Sequence, residues 1–574
     1  MGEEGGGRSC GTTKELQKLK QQAMEYYREN DVPRRLEELL NSTFYLQPAD
    51  VYGHLANCFS TFAKPPTIHR IVGKNVLDGL GLSTLQVEVF CTIQNFPKSI
   101  CSVVIPTHFE VQENTVPELV EAQEAERRLA VSTAVQWVNE TITEELRGLA
   151  PSSQAEVDCM LRAFFANKVQ EEKERKALEK SQEDSAGSVP PSQILPPPPP
   201  PPTKKRGQKP GKKDSVYIEK PVIPAGPAEP VLCGSMAIGA VSLAVAKTSA
   251  ILGGIPLYLN IALLKHNQEQ PATLTMPLLM ASVGVEMLLE IQKQINKILE
   301  MQPVTGKMSH LGCLTINCDV MEQPLLLIQG VCANLELELG TNLHLAINCA
   351  GHELMDYSKG KYEVLMGTHK NAAEMVDLYV ELINKYPSII ALIDPLRKED
   401  SEQWDSICNA LGSRCYVIAG TASKSISKLL EHGSISSPRS HGLIIKHTNQ
   451  TTMSDLVEIT NLINSKKHIA ILGSTEGESS DDSLVDLAVG LGVRFIKLGG
   501  LSRGERVTKY NRLLTIEEEL VQNETLGFNE EHTFFYFNED AKKALEAAAT
   551  AAGELLGPRE PIFPTEVVEE SARS

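Results

Sequence analysis

Apolar residues recur along this chain in several distinct rhythms, and each rhythm predicts a different kind of element. Between Thr12 and Phe59 they fall at helical spacing: Leu36, Leu39 and Leu40 share one face after Pro33, and Val51, Tyr52, Leu55 and Phe59 share another after Pro48. Two short helices with one apolar face each cannot enclose a core alone, so either they self-associate into a four-helix bundle or they pack as a hairpin on the rest of the chain. From Ile68 to Val104 the period drops to two, with Leu85, Val87 and Val89 on one face and Gln86 and Glu88 on the other, which predicts a three-stranded meander. Helical spacing resumes from Val116 to Phe165. After Pro230 comes a helix of small residues, Ser235 to Leu252, and then short apolar runs alternate with amphipathic helices such as Ala372 to Lys385. The runs are Leu343 to Ile347, Ile389 to Ile393, Tyr416 to Ile418, Gly442 to Ile445, Ile469 to Leu472 and Phe495 to Leu498. Buried strands with helices between them, over roughly 250 residues, predict an α/β fold closed into a parallel barrel, whose chemistry would lie at the C-terminal ends of the strands.

Composition changes this picture in a few places. The stretch 167–230 loses the apolar pattern: a Lys/Glu run leads to the proline run Pro196 to Pro202 and a basic segment, Thr203 to Lys213. Too little apolar surface is present there to offset ordering entropy, so a disordered, solvated insert is expected, although the prolines also suit polyproline II ligands and the lysines a nuclear address. Fifty-five basic against 73 acidic residues give a formal charge of -18, which argues against nucleic-acid binding. The twelve cysteines form no C-x-x-C pair, so neither a zinc ribbon nor a disulfide framework is indicated. The N-terminus has no apolar signal region, and no apolar run is expected to reach the roughly 18 residues that span a bilayer; a cytoplasmic protein is expected.

Three stretches carry a family resemblance. Lys497 is followed by Arg503, Glu505, Arg506, Lys509, Asn511, Leu513 and Ile516-Glu517-Glu518, which is similar to the closing enolase pattern R-x-E-R-x-x-K-x-N-x-L-x-x-I-E-E after a strand-end lysine. Gly239 to Lys247 with Gly254 to Tyr258 resembles G-V-S-L-A-V followed by G-V-P-L-Y, and Val76-Leu77-Asp78 with Gly81 and Thr84 resembles the first enolase hairpin. The resemblance implies a small α+β domain before a (β/α)8 barrel that opens β-β-α-α. Separately, Val32-Pro33, the Leu36 to Leu40 stripe and Pro48 with Leu55-Ala56 resemble the dimerisation and docking module shared by the protein kinase A regulatory subunit and DPY-30. That module implies a homodimer whose groove takes an amphipathic helix of an anchoring protein through residues 12–60. The expected organisation is a docking module (1–66), an enolase N-terminal domain in two parts (67–166 and 231–270) around the insert (167–230), the barrel (271–545) and an acidic tail (546–574).

Members of that family dehydrate 2-phosphoglycerate to phosphoenolpyruvate with Mg²⁺, a Lys or His base removing a proton beside a carboxylate. By resemblance Leu443 to Lys446, followed by Thr452 to Asp455, places Lys446 on the proton-abstracting lysine, and Lys497 on the lysine that holds the substrate carboxylate. Ser309-His310-Leu311-Gly312 resembles S-H-A-G, placing His310 in substrate binding and Asp319 on an active-site glutamate. Leu327 to Val331 resembles D-E-G-G with Gln329 at the general-acid glutamate, and an amide cannot serve as that acid. The three metal carboxylates become Asn348, Ile393 and Gly420, so Mg²⁺, expected from the family, loses its hard oxygen ligands. Asp394, next to Ile393, is expected to point to the opposite face. The mobile-loop P-S-G-A-S is replaced by Pro106 to Glu110, and the phosphate grip S-H-R-S-G-E by Gly473 to Glu478, with Ser474 as its remaining hydroxyl.

Two functions follow. One is a phosphopyruvate hydratase of glycolysis acting on 2-phosphoglycerate as a dimer; the other is a catalytically degenerate scaffold docked in a cilium or sperm flagellum. The family resemblance favours the first, the missing carboxylates the second.

Overall fold

The structure is a computed structural model of the chain and describes residues 9–106, 117–186, 224 and 231–527, apart from 268, 270, 277, 280–284, 302–306, 309–313, 317, 319, 342, 413, 421–425, 434–438, 447–449 and 474–478. Residues up to Thr67, together with Thr92–Lys98, belong to a first unit. It holds three helices, α1 (Ser9–Glu29), α2 (Val32–Leu46) and α3 (Val51–Phe62). Pro33 sits in the first turn of α2, where its missing N–H has no intrahelical partner to lose. Asp50 caps α3 by accepting the Gly53 N–H at 2.8 Å. Only Leu39 and Thr43 of α2 are buried and no residue of α3 is, so Leu40, Phe44, Tyr52 and Phe59 lie exposed.

The second unit begins with a sheet of three strands in sequence order, β1 (Thr67–Leu77), β2 (Ser83–Ile93) and β3 (Phe96–Val104). The predicted alternation holds: Leu85, Val87 and Val89 are fully buried, while Gln86 bonds Ser102 at 2.5 Å and Glu88 pairs with Lys74 at 2.7 Å on the other face. Behind the sheet lie α4 (Pro117–Trp137) and α5 (Gln154–Ala186). Helix α5 runs twenty residues into the segment expected to be disordered, which moves the start of any unstructured insert beyond 186. The Lys/Glu run supplies strong helix formers and ion pairs at i,i+3 and i,i+4, such as Arg175 with Glu172 at 2.7 Å and Glu179 at 3.0 Å; these favour a solvated helix that needs no core. The proline run Pro196 to Pro202 and the basic segment Thr203 to Lys213 fall outside the described residues.

Helix α6 (Met236–Gly253) corrects a second expectation, since its 18 residues with mean hydropathy 1.6 are long and apolar enough to cross a membrane. It is instead a core helix, with 72% of that window buried and small residues that let neighbours approach closely. Helix α7 (Leu257–Lys265) follows it.

Among the described residues the barrel domain has a sheet of seven parallel strands. In chain order they are β4 (Leu278–Leu279), β5 (Leu345–Asn348), β6 (Ile389–Ile393), β7 (Tyr416–Ala419), β8 (Gly442–Lys446), β9 (Ile469–Gly473) and β10 (Phe495–Lys497). In space the order is β4-β10-β9-β8-β7-β6-β5. Ala391, Ile393, Tyr416, Ile418, Ile444, Ile469, Ile471 and Phe495 form one core cluster on one face of this sheet. Tyr416 and Phe495 stand three strands apart, about 14 Å in a flat sheet, yet their rings meet at 6.5 Å, so the sheet curls around its own inner face. Each fully buried isoleucine there contributes about 1.5–3 kcal/mol of apolar burial.

Helices α8 (Val285–Glu300) and α9 (Gln323–Asn334) precede β5, with a short antiparallel pair, Lys307–Met308 and Leu314–Thr315, between them. Among the described residues the opening is therefore strand, helix, hairpin, helix, rather than β-β-α-α. Helix α10 (Ala372–Lys385) has its predicted bounds and a capping box made by Asn371 and Glu374. The barrel's remaining long helices are α11 (Ser401–Leu411), α12 (Met453–Ser465), α13 (Ser483–Leu491) and α14 (Gly504–Gln522).

Candidate functional site: the C-terminal ends of the barrel strands

Side chains alternate along a strand, so the residue two positions beyond each core side chain faces the same way. This rule puts Asn348 after Ala346, Gly420 after Ile418, Lys446 after Ile444, Gly473 after Ile471 and Lys497 after Phe495 on the inner face, while Ile393 is itself a core residue. The strand register then sets them side by side. Lys446 is level with Gly473, and Gly473 is level with Lys497. On the other side Asn348 is level with Ile393 and Ile393 with Ile418. Two lysine Cα atoms on next-but-one strands are about 10 Å apart. Gly473 between them adds no side chain to the inner face and has no room for one, because a Cβ there would lie 2.9 Å from Ile444 Cγ2 and 3.9 Å from Lys497 Cβ. Both lysines are half-buried at the tops of strands whose bodies are buried throughout.

The long signature after Lys497 mostly holds the frame. Tyr510 donates to the Gly499 carbonyl at 2.6 Å, and the Arg506 guanidinium lies 2.9 Å from where a Gly499 side chain would begin; Gly499 adopts φ 75°, which glycine alone reaches without strain. Buried Lys509 donates to the carbonyls of Ser479 at 3.0 Å and Glu505 at 2.9 Å. Arg503 pairs with Glu505 at 2.5 Å and donates to the Gly79 carbonyl, tying the turn after β1 to the loop after β10.

The stretch that follows Lys446 has a similar explanation. Thr452 and Asp455 form a capping box at the start of α12, with Thr452 N–H donating to Asp455 at 2.7 Å. The same helix start is clasped by the N-terminal domain. Asp158 accepts the Ser454 N–H at 2.9 Å and the hydroxyls of Ser454 and Ser242 at 2.6 Å each, and Gln154 donates to it at 2.9 Å. The Ser242 oxygen in turn accepts the Met453 N–H at 2.9 Å. Burial pushes the Asp158 carboxyl above the usual carboxylate range, and these hydrogen bonds pull it partly back.

The acid side departs from expectation at one residue. Asp394 follows the last residue of β6 with φ 47°, left-handed backbone that a residue before proline seldom adopts. This breaks the alternation that would have turned it outward. Its carboxylate accepts the Gly420 N–H at 2.8 Å, and its second oxygen lies 2.7 Å from where a Gly420 Cβ would stand, a point that is itself 3.4 Å from Ile444 Cδ1. Asn348 is exposed, and Ile393 carries no donor. The family positions for Mg²⁺ thus offer one amide oxygen, and the described residues contain no group of three His, Cys, Asp or Glu able to hold a metal ion. This donor set does not fit Mg²⁺, which wants several hard oxygen ligands in octahedral array.

Gln329 lies exposed within α9, not at a strand end, and is not brought to the lysines. His310, Asp319 and Ser474 lie outside the described residues, as do 107–110 and 474–478 of the two altered loops. Sequence reasoning did not single out Gly473 as the gap between the lysines, although its place two residues after Ile471 carried that signal. The inward Asp394 had no such signal, since its backbone conformation is not periodic.

The family model described as the enolase C-terminal TIM barrel domain matches residues 279–533. A human protein named enolase 4 is 74% identical, over all of this chain and 99% of that protein. The mouse protein of the same name is 66% identical over the whole of both chains, and that of Xenopus laevis 48% over 91% of this chain and 95% of its own. The chain belongs to the enolase family. Lys446 and Lys497 thus end two strands of a barrel sheet in this family's C-terminal domain, and Asn348, Ile393 and Gly420 end or follow three others.

Proposed function

We propose that this enolase-family chain is a scaffold whose barrel mouth binds a small anion weakly and no longer performs Mg²⁺-assisted dehydration. One observation carries the reading: Lys446 and Lys497 stand level across the bare Gly473, while the metal positions hold Asn348, Ile393 and Gly420. Two ammonium groups at the top of a buried sheet attract a carboxylate. An ene-diolate needs more charge stabilisation than two lysines supply, and these residues do not fit the metal that would add it.

The second reading is phosphopyruvate hydratase, converting 2-phosphoglycerate to phosphoenolpyruvate. The level placement of a base lysine and a carboxylate-holding lysine favours it. Purified protein given 2-phosphoglycerate and Mg²⁺, followed by the ultraviolet absorbance of the enol product, separates the two. The scaffold reading expects no Mg²⁺-dependent product. Turnover that Lys446→Ala abolishes would establish the hydratase.

The exposed apolar residues of the first unit support a docking role for residues 12–60, with a second copy completing a four-helix bundle and an anchoring protein's amphipathic helix in its groove. A ciliary or flagellar assembly is the setting this reading expects. Deleting residues 1–60 should then abolish localisation in a ciliated or spermatogenic cell, and unchanged localisation would remove the docking proposal.

A further inference from the structure

We infer that Cys58 and His54 form a nucleophilic pair on the first unit, a modification site that exchanges with low-molecular-weight disulfides and keeps one half of them as a mixed disulfide. The two residues stand one turn apart on α3, and the Cys58 Sγ lies 3.6 Å from His54 Nε2 in a thiol–imidazole hydrogen bond. With its proton on Nδ1, the ring turns the Nε2 lone pair toward the sulfur. Both side chains are half-buried on a helix that has no buried residue, so the pair is held in place and solvent still reaches it. Other thiols are placed differently. Buried Cys101 and Cys408 donate to the carbonyls of Ala244 at 3.2 Å and Arg439 at 3.3 Å, and Cys233 donates to the Thr133 hydroxyl at 3.3 Å. Those oxygens accept a hydrogen bond but do not take the proton away, whereas an imidazole can act as the base.

Two features around Cys58 suit the negative charge that develops on sulfur as its proton leaves. The Ser60 and Thr61 hydroxyls donate to the carbonyls of Asn57 at 2.6 Å and Cys58 at 2.7 Å, which blunts the negative end of the helix beside the sulfur. One turn beyond Cys58, the Arg35 guanidinium lies 4.5 Å from the centre of the Phe62 ring, with its Nε 3.7 Å from Asp31. A partly exposed cysteine flanked by an imidazole and a cation is the setting in which thiols react. In the exchange the Cys58 sulfur attacks one sulfur of the disulfide, whose S–S bond breaks as the new one forms, and the thiol proton passes through His54 Nε2 to the departing thiolate. Electrons and protons balance without another oxidant, and no second copy of the chain takes part.

The test uses the full chain at neutral pH with glutathione disulfide as the probe, and peptide mass spectrometry to follow each cysteine with time. The mixed disulfide should form at Cys58 at least about tenfold faster than at Cys159, which is exposed on α5. In urea, which dissolves the helix and separates the pair, the two rates should converge. His54→Gln, verified as folded by circular dichroism, should slow Cys58 about tenfold and leave Cys159 unchanged. Reaction at Cys58 no faster than at Cys159 overturns the inference, as does an unchanged Cys58 rate in the folded variant. Should His54→Gln not fold, the unaltered chain decides alone: a Cys58 to Cys159 ratio that falls toward one in urea supports the pair, and a ratio that urea leaves unchanged overturns it.

Discussion

Single residues at the strand ends set what the mouth can accept. Gly473 is required where it stands: adding one methyl brings Cβ to 2.9 Å from Ile444 Cγ2, so Gly473→Ala should destabilise the fold by about 1–3 kcal/mol and lower anion affinity, both read from urea unfolding and calorimetry. Thiol chemistry offers a second check at this scale. Burial pushes the Cys91 thiol up to about 11 and the Cys408 thiol up to about 12, whereas Cys159 is exposed. Iodoacetamide at pH 8 should therefore alkylate Cys159 and leave Cys91 and Cys408 unmodified until denaturant is added, as mass spectrometry of peptides would show. Which residues face the mouth was largely legible in the sequence, because period-two alternation from Ile444 to Lys446 and from Phe495 to Lys497 needs no tertiary information. Asp394 was not legible, because its left-handed φ is imposed by neighbouring backbone hydrogen bonds and not by its own preference.

At the scale of elements, the start of α12 is where two domains share a buried carboxylate. Removing it in Asp158→Ala leaves the Ser242 and Ser454 hydroxyls, the Ser454 N–H and the Gln154 amide short of an acceptor, and should destabilise the protein by about 2–4 kcal/mol. The pH dependence has a definite sign. Burial raises the folded-state value, so the folded protein binds this proton more tightly than the unfolded chain does. That contribution is complete below the ordinary carboxylate range and is lost as pH rises through the raised value. Urea midpoints measured from pH 4 to 7 should show the wild-type advantage over Asp158→Asn largest at the acid end and shrinking toward neutrality. Elements with a strong period were readable, α10 to the residue. The extension of α5 was not, since its order comes from helix propensity and local ion pairs and not from an apolar stripe.

Over the whole molecule, the chain divides into two compact units, and the second carries its own core. Deleting residues 1–66 should leave the melting temperature of the second unit unchanged in differential scanning calorimetry while reducing the oligomer mass seen by light scattering, if the exposed faces of α2 and α3 pair with a second copy. The barrel was recognisable from afar because repeated strand and helix periods are a global property. The weakness of the metal positions came only from comparing three individual strand ends.

Lys509, Tyr510 and the cap at Thr452 grip backbone carbonyls and a helix start, whereas Asn348 stands exposed at the rim and Gly420 is backed by the Asp394 carboxylate. Substitution at Asn348 therefore barely loosens the architecture, whereas a side chain at Gly420 would have to displace Asp394, and substitution in the grip removes bonds on which the frame depends. Chemistry in such a barrel can drift away with almost no mechanical consequence, and what survives longest in the polypeptide is the lettering of its joinery and not that of its trade.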